Sequence, residues 1–108
     1  MTKITFYKSK ECYVGFEVSG HAGNLPVGEN PLCAAISVAS QMIVVGIREE
    51  LKLNPEVKMK SGYLKMIVSE KDISNEKVQL LMKMCYDTLL DISKNNKKYV
   101  RLEVKENV

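Results

Sequence analysis

A chain of 108 residues, 45% hydrophobic and 27% charged, holds enough apolar surface for one core and too little for two, so a single domain spanning 1–108 is expected. No apolar run reads as a membrane span and no segment as a secretory signal, while Cys12, Cys33 and Cys85 are an odd set without Cys-x-x-Cys spacing; the expectation is a soluble, cytoplasmic protein with reduced thiols, no membrane partner, no metal and no other cofactor. A formal net charge of +3 is too small to indicate direct nucleic-acid binding.

Residues alternate from Lys3 to Tyr7 and again from Tyr13 to Ser19, which puts Ile4 and Phe6, then Val14, Phe16 and Val18, on buried faces. This predicts a hairpin closed by Lys8 to Glu11. The stretch from Pro31 to Lys52 predicts a helix that is apolar nearly all round through Ala34, Ile36, Val38, Met42, Ile43, Val44, Val45 and Ile47. Such a helix is enclosed on several sides, part of the cover coming from a second subunit. Gly46 within it is unfavourable by ~1 kcal/mol relative to alanine, which points to a close contact with another backbone. Leu53-Asn54-Pro55 ends the helix.

A second strand pair follows at Val57 to Lys60 and Tyr63 to Ser69 around the turn signal Ser61-Gly62, with Val57, Met59, Leu64, Met66 and Val68 facing inward. Ser74 is the expected N-cap of the second helix, with Glu76 in its first turn and Ile73 and Val78 as a hydrophobic staple. Val78, Leu81, Met82, Cys85, Leu89 and Ile92 form its apolar stripe, so Cys85 is read as a core residue of ordinary reactivity. Asn95-Asn96-Lys97-Lys98 leads out to a last strand, Tyr99 to Lys105, with Val100, Leu102 and Val104 inside. The order ββαββαβ implies an α+β domain whose two helices cover a mainly antiparallel sheet of open strand order.

Chemistry concentrates around the only histidine, His21, and Cys33. A nucleophilic thiol needs a neighbour that takes its proton and stabilises its charge, and imidazole is the side chain tuned for this near neutral pH. Asn30 is a favoured N-cap residue and Pro31 a favoured first helical residue, which makes Cys33 the third residue of the long helix. The N–H groups and the positive dipole end of a first helical turn stabilise anions. The backbone N–H groups of Cys33 and Ala34 are accordingly the candidate oxyanion donors. Glycines at 20 and 23 let the chain turn beside His21, and Gly23 and Gly28 flank a loop over 24–29 that either closes on a ligand or merely connects. Ser37, one turn after Cys33, either lines the site or bonds back to its own helix. By spacing alone, His21 as a polar loop residue and Cys33 as a buried thiol is the reading preferred to catalysis.

Gly20-His21-Ala22, then Gly28, then Cys33-Ala34-Ala35-Ile36-Ser37 resemble the Gly-His-Ala and Cys-Ala-x-x-Ser motifs of the bacterial ribosomal-processing cysteine protease family. The likeness extends through Ser61-Gly62-Tyr63-Leu64 and the terminal strand Val100 to Val104. It implies a cytoplasmic, homodimeric endopeptidase that removes the N-terminal extension of large-subunit ribosomal protein twenty-seven, cutting after an aromatic residue in a Phe-Phe-containing site. It also assigns the nucleophile to Cys33 and the base to His21. Many relatives have Gly-x-Asp before the cysteine, whereas this chain has Gly28-Glu29-Asn30 followed by a proline. An imidazole-orienting role would then fall to Asn30, Glu29, a backbone carbonyl or nothing, and with Asn30 capping the helix a Cys-His dyad is the preferred mechanism. The rival reading is a non-catalytic ribosome- or RNA-associated module using Lys94, Lys97 and Lys98 on phosphates.

Overall fold

The computed structural model describes residues 1–20 and 31–107. Its centre is the first hairpin, β1 (Thr2–Ser9) and β2 (Cys12–Ser19), whose register pairs Ile4 with Val18 and Phe6 with Phe16 on one face. The register shifts after Tyr7, so that Tyr7 faces Gly15 while Lys8 faces Tyr13. Val14 is the extra residue of a β-bulge, which rotates Tyr13 onto the face of Phe6. There the Phe6 ring meets Tyr13 at 5.7 Å, edge to face. The simple alternation expected for this strand is corrected accordingly: Val14 is buried but lies outside the main core cluster, and Tyr13 lies within it.

The remaining strands are β3 (Glu56–Lys60), β4 (Tyr63–Ile67) and β5 (Val100–Lys105), in the sheet order β3-β4-β2-β1-β5. All neighbours are antiparallel except β1 and β5. One sheet face carries Ile4, Phe6, Phe16, Val18, Leu64, Met66 and Val100 under the helices, as the alternation predicts. Met59 is an exception, 53% exposed where it was expected inside. β3 is an edge strand, and only half of a residue pair's cover is available there.

The first helix, α1 (Pro31–Val45), runs on into a wider π-type turn at Gly46–Glu50, where the Leu51 N–H donates to the Gly46 carbonyl at 3.0 Å. A Cβ at Gly46 would stand 3.2 Å from Leu81 Cδ1, so the glycine accommodates a side chain of the second helix, not a neighbouring backbone. Ile36, Ser40, Ile43, Val44 and Ile47 are buried, whereas Val38, Met42 and Val45 are exposed on the opposite side. Within one chain the helix is therefore amphipathic, not enclosed all round. Pro31–Glu50, 20 residues, is also long and apolar enough to cross a membrane, which corrects the expectation that no run has that length. Here its buried side chains are core residues packed on the sheet.

The second helix, α2 (Glu76–Asn95), is capped by Asn75, not Ser74: Asn75 Oδ1 accepts from the N–H groups of Lys77 and Val78 at 2.8 and 3.1 Å. Moving the cap by one residue takes Ile73 out of the staple position, and its carbonyl instead accepts a hydrogen bond from Gln79 Nε2. The same Gln79 amide pairs with both backbone groups of Tyr13, locking α2 to the bulged part of β2. Val78, Met82, Cys85 and Leu89 are buried from the predicted stripe, with Leu81 and Ile92 packed at its margin. Burial pushes the Cys85 thiol up to about 12, consistent with a packing role.

Candidate active site

Three strand ends converge below the start of α1: the beginning of β1 at Thr2, the end of β2 leading to Gly20, and the β3–β4 turn at Ser61 and Gly62. Between them and the helix lies a cleft of about 590 Å³, within the range of small-ligand and peptide side-chain sites. Cys33, the third residue of α1 as the sequence predicts, stands in its wall and is half-buried. Ala34 and Ser37 are also in the lining, so one helical face carries the thiol and its predicted neighbours. All three cysteines remain outside any disulfide.

From rim to floor the cleft changes character. Ala34, Gln41, Met59, Lys60 and Ser61 are exposed at the rim, whereas Ile36, Val18 and Leu64 are buried and make an apolar interior. Ser37 Oγ accepts from the side-chain Nε2 of Gln41, one turn on, while remaining in the wall of the cleft. Ser40 Oγ, 1% exposed as a residue, donates to the Ile36 carbonyl at 2.7 Å. Tyr63 closes the strand side and donates through its phenol to Glu17 Oε2 at 2.7 Å. That hydrogen bond to a carboxylate, with burial and the charge of Glu17, raises the Tyr63 pKa above the usual tyrosine value.

Gly20 is the last described residue before His21, and it lines the same cleft as Cys33. Its φ of +87° and the Met1 carbonyl at the place where a Cβ would stand leave only glycine able to carry the chain there. His21 itself, Gly23, Gly28, Glu29, Asn30 and the 24–29 loop lie outside the described residues. Among the described residues no group of His, Cys, Asp or Glu has the arrangement of a metal site. Lys94, Lys97 and Lys98, on which the RNA-binding reading rests, are exposed beyond the cleft and none lines it. Sequence reasoning missed Thr2, Ser40 and the β3–β4 turn as cleft residues. A threonine on the inward face of β1, in step with Ile4 and Phe6, was the available signal.

A family model described as cysteine protease Prp matches residues 1–101. Among curated proteins none matches the chain. The crystal structure of SMU.848 from Streptococcus mutans is similar to it with a TM-score of 0.87 and 27% identity, covering 98% of this chain and 95% of that one. An essential ribosomal processing protease Prp from S. aureus, solved with a covalently linked product peptide, is similar in fold with a TM-score of 0.88 at 18% identity, covering 97% and 100%. The same S. aureus protease with a substrate peptide gives a TM-score of 0.83.

Proposed function

This chain belongs to the cysteine protease Prp family and is a cysteine protease, and from that premise we propose that it removes the N-terminal extension of large-subunit ribosomal protein twenty-seven, cutting after an aromatic residue through a dyad of Cys33 and His21. One observation carries the reading: Cys33 opens a helix in the wall of an apolar cleft that also contains Gly20, the residue to which His21 is bonded. The S. aureus structures with product and substrate peptides support it as complexes of a protein of the same fold.

In the proposed reaction Cys33 Sγ attacks the carbonyl carbon after the aromatic residue while His21 holds the thiol proton. The carbonyl electron pair moves to oxygen, where the backbone N–H groups of Cys33 and Ala34 receive it. Collapse breaks the C–N bond, His21 gives its proton to the departing amine, and the acyl group remains as a thioester. Water then attacks with His21 as base and the thiol is restored. Asn30 stands where many relatives have an aspartate, so the proposed dyad has no acidic third member at that place. Of the two edge strands, β3 alone contributes described residues to the cleft, Met59 and Lys60, so the extended substrate runs along β3. The working form is a cytoplasmic homodimer, which the exposed uncharged row Val38, Met42 and Val45 supports.

A synthetic peptide copying the extension, incubated with the protein and followed by mass spectrometry, tests the chemistry. Cleavage should vanish in Cys33→Ser and fall by at least a hundredfold in His21→Ala. Equal cutting by the native protein and Cys33→Ser would end the proposal. Sedimentation equilibrium tests the dimer.

A further inference from the structure

The helices pack on one face of the sheet, and the opposite face carries the charge imbalance of the chain. By strand register that face presents Lys58 and Lys60 from β3, Lys65 from β4, Lys3 from β1, and Arg101 and Lys105 from β5, against the carboxylates Glu17, Glu56 and Glu103. This surplus equals the net charge of the whole chain, +3, so the rest of the sequence is balanced. A charge that is small when averaged over the chain is concentrated where a polyanion would meet it.

Two pairs of cations are direct neighbours in the register: Lys58 with Lys65, and Lys3 with Arg101. Like charges so placed oppose strand pairing, and an anion laid across them removes the repulsion. The carboxylates of the face answer only part of it. Glu17, beside Lys65, accepts from the Tyr63 phenol at 2.7 Å, Glu103 pairs with Lys3 at 3.2 Å, and Glu56 lies at the far corner, opposite Ile67. Among the described residues Lys58, Lys65, Arg101 and Lys105 form no ion pair.

Rings are interleaved with these cations. Tyr7 is half-buried with Lys65 Nζ 5.7 Å from its ring centroid, and Tyr63 has Lys60 Nζ at 5.6 Å. Aromatic rings beside cations on a sheet hold unstacked bases and their phosphates, which a duplex keeps paired and turned inward. A lipid surface would be met by exposed large apolar side chains, and no strand residue of this face is one. A second copy of the face would set cations against cations.

We propose that the open sheet face binds a single-stranded nucleic acid, with phosphates across the Lys58/Lys65 and Lys3/Arg101 pairs and a base on Tyr7. This stands apart from the protease reading and uses none of Lys94, Lys97 and Lys98.

Fluorescein-labelled RNA and DNA strands of about 12 nucleotides and one mixed sequence are titrated with the protein by fluorescence anisotropy, between about 50 and 200 mM salt. At least one strand should bind, more weakly as salt rises, and the tighter of the two identifies the source. Lys65→Gln/Arg101→Gln should weaken binding by about tenfold and lower the slope of log Kd against log salt by about 1.4. Tyr7→Leu should weaken it by about fivefold with the salt slope unchanged, as loss of stacking requires. Lys77→Gln/Lys94→Gln, which removes the same charge from exposed positions on α2, should bind as the native protein does. Relief of the cation pairs should leave Lys65→Gln/Arg101→Gln melting at or above the native temperature; if it melts lower, Lys58→Gln/Lys105→Gln carries the same binding expectation. Binding of neither strand, an equal loss in the α2 variant, or a duplex or phosphatidylglycerol vesicle bound as tightly as the single strand overturns the proposal.

Discussion

Cys85 sits in the middle of α2 with 2% exposure, and burial raises its thiol from 9.0 to about 12, which makes the stability of the fold depend on alkaline pH in a calculable way. The core accepts only the neutral thiol. Up to pH 9 folded and unfolded chains hold the proton alike, so the contribution is fully present there. Above 9 the unfolded chain releases the proton and the folded chain keeps it, so stability falls as pH rises until the folded thiol itself titrates near 12. At 1.36 kcal/mol per unit, the loss between pH 8 and 10.5 is about 2 kcal/mol. Tyrosines and lysines titrate over the same range, so the quantity to measure is the difference in urea-unfolding free energy between the native chain and Cys85→Ala, in which shared titrations cancel. That difference should shrink by about 2 kcal/mol from pH 8 to 10.5. A difference that stays flat would refute the placement of this thiol in a dry core.

Asn75→Ala should cost about 1 kcal/mol of stability by chemical denaturation while Ser74→Ala stays within ~0.5 kcal/mol, because only the Asn75 side chain accepts from the first turn of α2; the reverse order would restore Ser74 as the cap. Gly20→Ala should destabilise by at least about 1–2 kcal/mol from its left-handed backbone alone, with more from the Met1 carbonyl that must move, and it should depress peptide cleavage. Gly62→Ala, also at positive φ (72°) in the β3–β4 turn, should cost about 1 kcal/mol by the same measurement without a backbone clash.

Much of the molecule was legible because short-range patterns carry it. Period-two alternation located every strand, and the stripe Val78, Met82, Cys85, Leu89 located α2 and its buried thiol. Asn30-Pro31 put Cys33 at the third helical position, where the structure has it. The misreadings share one cause. Val14 and Met59 were assigned by hydrophobicity, but hydrophobicity does not say which neighbour supplies the cover; the far side of α1, whose cover the sequence reading assigned in part to a second subunit, is open within one chain. A bulge gives the place of Val14 to Tyr13, an edge leaves Met59 uncovered, and a single chain leaves Val38, Met42 and Val45 in the open. Ser74 and Asn75 are chemically similar caps, and the structure uses Asn75.

By itself the sequence determined the elements and the opening of α1 at the thiol, since propensity, capping and periodicity act over a few residues. The tertiary structure alone decided the strand order β3-β4-β2-β1-β5, and with it the meeting of Thr2, Gly20 and the β3–β4 turn beneath Cys33. Those groups come from distant parts of the chain, and only the packing of the helices on one face of the sheet brings them into one cleft with the thiol.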